Sequence, residues 1–199
     1  MDAADLLPDP IAQFARWLDE ALAAGLELPE AMTLATADAA GRPSARTVLL
    51  KGADADGFRF FTNTESRKGR ELAENPRAAL VFHWPQEPRR QVTVAGRVEP
   101  LPRAESEAYF STRPLGSRLG AWASRQTTVI PDREALDRAF AAAKAEHGDE
   151  PPLPPWWGGY LLAPVRIEFW QNRPNRLHDR FRYTRAESGN VWLLERLAP

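Results

Sequence analysis

The sequence predicts a mainly β, α+β fold: an antiparallel barrel with helices packed on its outside. Three observations support this prediction. Six or seven short apolar runs are separated by turn-forming residues, which is typical of strands joined in hairpins. Apolar residues at helical spacing are concentrated near the start and in the middle of the chain. The 199 residues fit one domain, and no internal repeat or low-complexity segment divides them.

The first elements predicted along the chain are a helix and two hairpins. Asp9 and Pro10 suit the N-cap and first position of a helix that stops near Gly25. The turn-forming "DAAG" at 38–41 then separates two β-prone runs, which predicts a hairpin. A second hairpin is predicted around "DADG" at 54–57, between "ARTVLLK" and "FRFFTN".

The remaining elements follow the same two patterns. Helices are predicted at 65–75, ending before Pro76, and at 102–113 and 132–147. The Pro-rich run at 148–159 predicts a stiff surface loop. Strands are predicted at 77–84, 89–101, 160–171, 180–185 and 190–197, with Gly189 and Asn190 marking the last turn.

Composition and charge exclude several classes of protein and site. The formal net charge is −1, so no overall field attracts nucleic acid or an anionic membrane. The absence of cysteine excludes disulfides, thiolate metal sites and a cysteine nucleophile. The three histidines have no metal-ligand spacing, so no bound metal is expected. Without an apolar run of about 20 residues or a signal peptide, a cytoplasmic protein is expected, with residues 1–8 as a disordered tail.

Four polar clusters interrupt the apolar pattern, and each contains groups that could bind an anion. One of them lies where a strand meets a helix N-terminus, a place that suits a phosphate. In another, Tyr109 and Arg113 are four residues apart, which predicts that they share one face of one helix. The clusters are Arg46 and Lys51; Thr62, Ser66, Arg67 and Lys68; Tyr109, Arg113 and Ser117; and Arg176, His178, Asp179 and Arg180.

Each cluster also has an ordinary structural explanation. Cations at strand ends can extend to solvent, a serine can cap a helix, and a polar loop can be hydrated. Taken alone, the structural explanation is favoured for the cluster of Arg46 and Lys51. The two explanations are evenly balanced for the cluster at 62–68, and a solvated loop is favoured for 175–181. Taken together, two separate anion-binding groups imply two phosphorylated ligands or one ligand with two anionic ends.

An ordered set of motifs runs along the chain: "RTVLLK", "FFTNTESRKGREL", "RQVTVAGRVE", "YFSTRPLGSRLGAWASRQ", "WWGGYLL", "IEFWQ", "NRLHDRF" and "ERLAP". Over residues 9–199 this set resembles the pyridoxamine 5′-phosphate oxidase family. The resemblance implies a homodimeric split β-barrel that binds FMN at the subunit interface. It further implies oxidation of pyridoxamine or pyridoxine 5′-phosphate to pyridoxal 5′-phosphate, with O2 as acceptor and H2O2 as product. Neither nucleic acid nor membrane is an expected partner.

The resemblance also implies roles for individual residues. Arg176 and His178 would lie over the substrate ring as the catalytic residues, and Asp179 would orient its neighbours. The substrate would be bound by Lys51, Tyr109, Arg113, Ser117, Arg176 and His178. FMN would be bound by Arg46, Thr47, Val48, Leu49, Leu50, Lys51, Phe61, Thr62, Arg67, Lys68, Gln91, Gln126, Thr127, Trp170 and Arg180.

Four features depart from the family pattern. Phe61 replaces a frequent Tyr, Thr127 a common Ser, and Asn172 a usual Gly. The segment before the first helix lacks the basic "RREY"-like run that closes over the substrate in many members. These departures bear on closure and substrate affinity, and leave the expected fold and FMN binding intact.

Three alternatives to this function were considered. One is an FMN oxidase of the same fold with another substrate, as in the phenazine pathway. Another is a non-catalytic flavin- or haem-binding split barrel. Retention of the phosphate clamp argues against both. A nucleic-acid module resting on "EPRRQ" has the least support, because the patch is small and the net charge is negative.

Overall fold

A nine-stranded antiparallel sheet, curled into a half-barrel, forms the body of the protein in a computed structural model that describes residues 1–186 and 191–199. Seven strands lie in the order β2-β1-β5-β6-β7-β4-β3, and β8 pairs with both β7 and β9. The strands are Ala31–Ala37 (β1), Pro43–Leu49 (β2), Gly52–Asp54 (β3), Gly57–Asn63 (β4), Arg77–Trp84 (β5), Arg90–Pro100 (β6), Trp157–Gln171 (β7), Asp179–Arg185 (β8) and Trp192–Leu197 (β9). The mainly β, antiparallel prediction is therefore confirmed.

The sheet branches at β7. The first half of β7 pairs with β4 and its second half pairs with β8, while β6 runs along the opposite edge. The β6–β7 register shifts between Ala95 and Gly96. A Cβ atom on Gly96 would lie 2.0 Å from the Ala163 carbonyl oxygen, so only glycine fits this close approach. Such a bulge bends the strand and lets the sheet curl.

Five α-helices lie around the sheet in the described part of the chain, and three of them begin at a capping side chain. They are Pro10–Ala23 (α1), Arg67–Glu74 (α2), Arg103–Thr112 (α3), Leu115–Ala123 (α4) and Arg133–His147 (α5). The side chains of Asp9, Ser66 and Asp132 each accept a backbone N–H in the first turn of α1, α2 and α5. No helix among the described residues combines the length and apolarity needed to cross a membrane.

An aromatic core joins α1 to the concave face of the sheet. Phe14 is fully buried and meets Phe58 edge-on, with ring centroids 5.0 Å apart. Trp17 meets Phe169 in the same geometry at 5.1 Å. Such edge-to-face pairs stabilise beyond the area they bury. A smaller cluster of Phe110, Leu153 and Trp157 lies under α3 and supports the cavity described below.

Three sequence predictions differ from the structure in detail. Tyr109 and Arg113 do not share a helix, because α3 ends at Thr112 and Arg113 is extended. Pro114 is the reason, since a residue before proline is disfavoured in helical conformation.

The second hairpin also differs: β4 pairs with the short β3, while β2 pairs with β1. The predicted turn at Gly189 and Asn190 lies outside the described residues.

The third difference concerns residues 1–8, for which the sequence predicts a disordered tail. The structure places a short 3-10 helix at Ala3–Asp5, and Leu6 is buried in the main core. The Tyr183 hydroxyl donates to the Leu7 carbonyl at 2.6 Å, which ties this segment to β8. Apolar contact and several hydrogen bonds, including that from Tyr183, thus order a segment whose composition suggests no order.

Candidate functional site

A cavity of about 630 Å³ lies between the β2 edge of the sheet, the N-terminal end of α2 and the α3–α4 corner. This volume is within the range of pockets that bind cofactors and drug-sized ligands. β2 is an edge strand in the described sheet. Residues from both faces of β2 line the cavity. The lining residues are Arg46, Thr47, Val48, Leu49, Lys51, Phe61, Thr62, Lys68, Tyr109, Thr112, Arg113, Pro114, Ser117, Gln126 and Trp157.

Lys68 provides a buried cation at the α2 end of the cavity. Its side-chain nitrogen donates to Thr62 Oγ1 at 3.0 Å, Ser66 Oγ at 3.1 Å and Gln126 Oε1 at 3.0 Å. None of these three partners carries a charge. Burial, together with repulsion from Arg46, lowers the pKa of Lys68 to about 8. An anion bound here would meet a cation that has no carboxylate partner within residues 1–186 and 191–199.

Arg46 and Arg67 accompany Lys68 and are linked by one buried carboxylate. Arg46 lines the cavity, and its guanidinium lies 3.3 Å from Glu71 Oε2. Arg67 lies just outside the lining and donates through Nε to Glu71 Oε1 at 2.8 Å. Its backbone N–H donates to Thr127 Oγ1 at 2.9 Å, which places Thr127 beside α2 as well. Three cations therefore surround this end of the cavity.

A second polar group lies at the α3–α4 corner of the same cavity. Tyr109, Arg113, Ser117 and Lys51 all line it, although α3 ends before Arg113. Nη1 of Arg113 is buried and has no hydrogen-bond partner in the described structure. Burial lowers the pKa of Arg113, while Tyr109 opposes the shift. An unpaired buried guanidinium nitrogen is costly, so an acceptor from a bound anion suits this position.

Aromatic rings form one wall beside this corner. Phe61 stacks on Tyr109 with ring centroids 4.2 Å apart and on Trp157 at 5.5 Å. The Arg113 guanidinium lies 4.8 Å from the Trp157 ring centre, a cation–π contact that holds it against the wall. The cavity thus offers cationic groups at two places and a flat apolar surface.

The other predicted site residues do not line this cavity. Leu50 is buried just beyond the end of β2. Gln91, Trp170 and Arg180 are register partners across β6, β7 and β8 and form one row on the sheet. His178 adjoins this row, with its ring centroid 4.6 Å from that of Trp170. Arg176 is exposed in the preceding loop, where its φ is +61°. We call Gln91, Trp170, Arg176, His178 and Arg180 the strand-row group.

Asp179 anchors the loop that carries Arg176 and His178. Its Oδ2 accepts from Arg173 Nε at 2.6 Å and from the terminal ammonium of Met1 at 2.8 Å, and its Oδ1 accepts from Arg196 Nη1 at 2.9 Å. Burial alone would raise the pKa of this carboxyl, but these bonds hold it well below its usual range. Arg180 itself pairs with Glu168 at 2.8 Å.

Some lining residues were not predicted. Trp157 was assigned to a surface connector, yet it is buried and starts β7. Thr112 and Pro114 belong to the corner that ends α3, so their position follows from the chain turn. Glu71 lies outside the lining, and its sequence position in a helix gives no signal that it is buried against Arg46 and Arg67. An apolar pair "WW" before two glycines was the one local signal that Trp157 could be buried.

Models of two family regions match this chain. The model described as pyridoxamine 5′-phosphate oxidase matches residues 18–146. The model described as the pyridoxine 5′-phosphate oxidase C-terminal dimerisation region matches residues 157–199. A protein of Cupriavidus taiwanensis named pyridoxine/pyridoxamine 5′-phosphate oxidase is 57% identical over 100% of this chain and 93% of its own length. A protein of the same name from Burkholderia thailandensis is 58% identical with the same coverage.

Two solved structures resemble the fold. PhzG from Burkholderia lata, in complex with tetrahydrophenazine-1-carboxylic acid, has a TM-score of 0.92 and 36% identity, covering 98% of this chain and 95% of that one. An FMN-binding protein related to pyridoxamine 5′-phosphate oxidase, from Nostoc punctiforme, has a TM-score of 0.73 and 22% identity, covering 94% and 97%. At that identity the second likeness concerns the fold alone.

Proposed function

The chain belongs to the pyridoxamine 5′-phosphate oxidase family, and we propose that it oxidises pyridoxamine or pyridoxine 5′-phosphate to pyridoxal 5′-phosphate with FMN as cofactor. O2 is the electron acceptor and is reduced to H2O2; with the amine substrate, water supplies the aldehyde oxygen and ammonia is released. The observation that carries the substrate assignment is the α3–α4 corner, where Arg113 has a buried, unpaired nitrogen beside Tyr109 and Ser117. Two hydroxyl-bearing side chains and a guanidinium lining one cavity suit a phosphate monoester.

The residues at the α2 end fit the terminal phosphate of FMN. Lys68 offers a buried ammonium, Arg46 a guanidinium, and Thr62 a hydroxyl. A phosphate adds charge-assisted hydrogen bonds to these donors and relieves the repulsion between Lys68 and Arg46. Bound there, FMN would supply the redox chemistry, namely hydride acceptance from the substrate carbon and electron transfer to O2.

This chain's own residues bind and align the substrate. Arg113, Ser117, Tyr109 and Lys51 would hold its phosphate, which lies remote from the reacting carbon. Binding energy from such a remote group serves to position the reacting atoms. The aromatic wall and the flavin then restrict the orientation of the pyridine ring, so that hydride transfer needs little further reorganisation.

We propose that the functional unit is a homodimer in which the partner subunit supplies the strand-row group. Within one chain this group lies outside the cavity, and the strands β7 to β9 that carry most of it fall in the matched dimerisation region. Side chains on the partner sheet would then reach the cavity: Arg176 and His178 toward the substrate, Gln91, Trp170 and Arg180 toward the flavin. The exposed position of Arg176 leaves it free for such a role.

The second candidate is an oxidase of the same fold acting on a reduced phenazine carboxylate. The likeness to PhzG over nearly the whole chain favours it. A fused-ring carboxylate has no phosphate ester, however, so it would leave the Arg113, Ser117 and Tyr109 clamp without its matched anion. The clamp therefore favours the phosphorylated pyridine substrate.

The experiment that tests the proposal identifies the cofactor and compares substrates. The flavin released from the purified protein is identified by chromatography, and FMN is expected. Oxygen-dependent turnover is then measured with pyridoxine 5′-phosphate, pyridoxamine 5′-phosphate, unphosphorylated pyridoxine and tetrahydrophenazine-1-carboxylic acid. We expect both phosphorylated compounds to be far better substrates. Preference for the phenazine compound, or equal kcat/KM with and without phosphate, would overturn the assignment. The cytoplasmic location stays a prediction.

A further inference from the structure

We infer that Glu71 is a positioning residue that orients Arg67 and Arg46 for the phosphate of the cofactor. This inference rests on the proposed binding of FMN at the α2 end of the cavity. Glu71 is 5% exposed, on the buried face of α2, one turn after Arg67. A carboxylate is rarely buried unless it is paired and hydrogen-bonded, so its partners indicate what it does.

Both carboxylate oxygens of Glu71 are engaged. Oε2 accepts from the hydroxyls of Thr36 and Ser44 and lies 3.3 Å from Arg46 Nη2. Oε1 accepts from Arg67 Nε at 2.8 Å. Burial raises the pKa of Glu71, but these hydrogen bonds and the charge of Arg67 outweigh it and lower the pKa to about 2. Glu71 is therefore ionised at any physiological pH.

The bond to Nε determines which edge of Arg67 remains available. Within the described residues no acceptor contacts the two terminal nitrogens of Arg67, and its side chain is 57% exposed. A guanidinium held through Nε presents its terminal nitrogens as a fork, the geometry that binds a phosphate in a bidentate manner. An exposed arginine without this anchor would lose more side-chain entropy when the phosphate binds.

Arg46 is held in a different way by the same carboxylate. Its Nη1 donates to the Leu34 carbonyl at 3.1 Å and to Thr36 Oγ1 at 2.6 Å, while Nη2 meets Ser44 and Glu71. Strand β1, strand β2 and helix α2 thus meet at this one side chain. Fixed so, the guanidinium contributes a rigid positive charge beside Lys68.

A positioning role and a purely electrostatic role of Glu71 predict opposite changes in FMN affinity when the carboxylate is removed. Glu71 is negative, so a purely electrostatic role beside a phosphate would disfavour FMN, and neutralising it would tighten binding. A glutamine keeps the shape of the side chain, but its amide has one oxygen that accepts and one nitrogen that donates. The donating nitrogen would face either Arg67 Nε or the donors on the Arg46 side, and donors that face each other repel. Under the positioning role, neutralisation weakens FMN binding.

The test measures dissociation constants of FMN and riboflavin for wild type and for the Glu71→Gln and Glu71→Ala variants. Riboflavin has the same ring system and lacks the phosphate, so the ratio of the two constants isolates the phosphate contribution. Glu74→Gln is the matched control, because Glu74 lies on the same helix, three residues after Glu71, and its side chain is exposed. We expect both Glu71 variants to weaken FMN by about tenfold or more, with riboflavin and Glu74→Gln unchanged.

A double-mutant cycle separates positioning from simple loss of packing. In an Arg67→Ala background the Glu71→Gln change should have a clearly smaller effect on FMN, because one of its targets is absent. Tighter FMN binding, equal loss of FMN and riboflavin, or full additivity with Arg67→Ala would overturn the inference. If the wild-type protein binds no FMN, the proposed function fails. If the wild-type protein binds FMN but one of those three results is found, only the role of Glu71 is rejected.

Discussion

Raising the pH above about 8 should weaken FMN binding, because Lys68 then loses its proton. Burial, with repulsion from Arg46, lowers the pKa of this ammonium to about 8 in the flavin-free protein. A bound phosphate favours the protonated form, so binding above that pH requires proton uptake. The FMN phosphate has its own second pKa near about 6, so it adds little slope from about pH 7 upward.

The size of the effect follows from the fraction of Lys68 that is protonated. The dissociation constant should rise about twofold between about pH 7 and pH 8 and then rise toward tenfold per pH unit. Lys68→Met removes the ammonium at every pH. A hydrogen bond to a charged group is worth roughly 1.5–3 kcal/mol, so this variant should bind FMN about tenfold to a hundredfold more weakly at neutral pH.

The assay is a titration of flavin-free protein with FMN, followed by the quenching of flavin fluorescence at several pH values. Lys68→Arg is the control, because a guanidinium stays protonated over the whole range and should give a flat profile. Two results would refute the reasoning: a wild-type affinity that improves above pH 8, or identical pH profiles for wild type and Lys68→Arg.

Three further predictions concern the strand-row group and its anchor. Arg176→Ala should keep FMN and lower kcat/KM by about one to two powers of ten, whereas Arg180→Ala should raise the FMN dissociation constant and recover activity with excess FMN; silence of both changes would support a solvated loop. Arg113→Ala and Arg176→Ala chains, each impaired alone, should regain about a quarter of wild-type activity when denatured and refolded together, since half the dimers then hold one intact site; no recovery above the separate variants, or a monomer that retains FMN in light scattering, would contradict the shared site. Asp179→Asn should lower both the melting temperature and kcat/KM without changing the FMN dissociation constant. Because the pKa of Asp179 is depressed, its contribution to stability is present above its unfolded pKa and is lost as the pH falls; unchanged acid stability of the variant relative to wild type would exclude this role.

Local signals in the sequence were sufficient for most element boundaries. The Asp9–Pro10 start of α1, the Ser66 cap of α2 and the first hairpin all depend on residues that are neighbours in sequence. The end of α3 was set by Pro114, a signal that was present in the sequence but was outweighed by helical spacing. Strand partnership was harder, because β2 and β4 are consecutive long strands but pair with β1 and β7.

The sequence indicates which residues are candidates for the site, but it does not indicate where in the fold each of them lies. Motif resemblance identified Lys51, Tyr109, Arg113 and Ser117, which the fold brings together at one corner. It could not tell that Gln91 and Trp170 lie on another part of the sheet, because a linear motif does not record which copy of a chain supplies a side chain. Glu71 escaped notice because an acidic residue in a helix is usually exposed, and its burial depends on Thr36 and Ser44 from distant strands.

The most direct test of the account is reduction of the protein-bound flavin by substrate without oxygen. Protein loaded with FMN is mixed anaerobically with pyridoxine 5′-phosphate, and the visible absorption of the oxidised flavin is followed. With one equivalent of substrate per flavin, the account predicts bleaching together with formation of one pyridoxal 5′-phosphate per flavin; on admission of air it predicts recovery of the absorption and formation of one H2O2 per flavin. Persistence of the oxidised spectrum with pyridoxine 5′-phosphate and with pyridoxamine 5′-phosphate would contradict it.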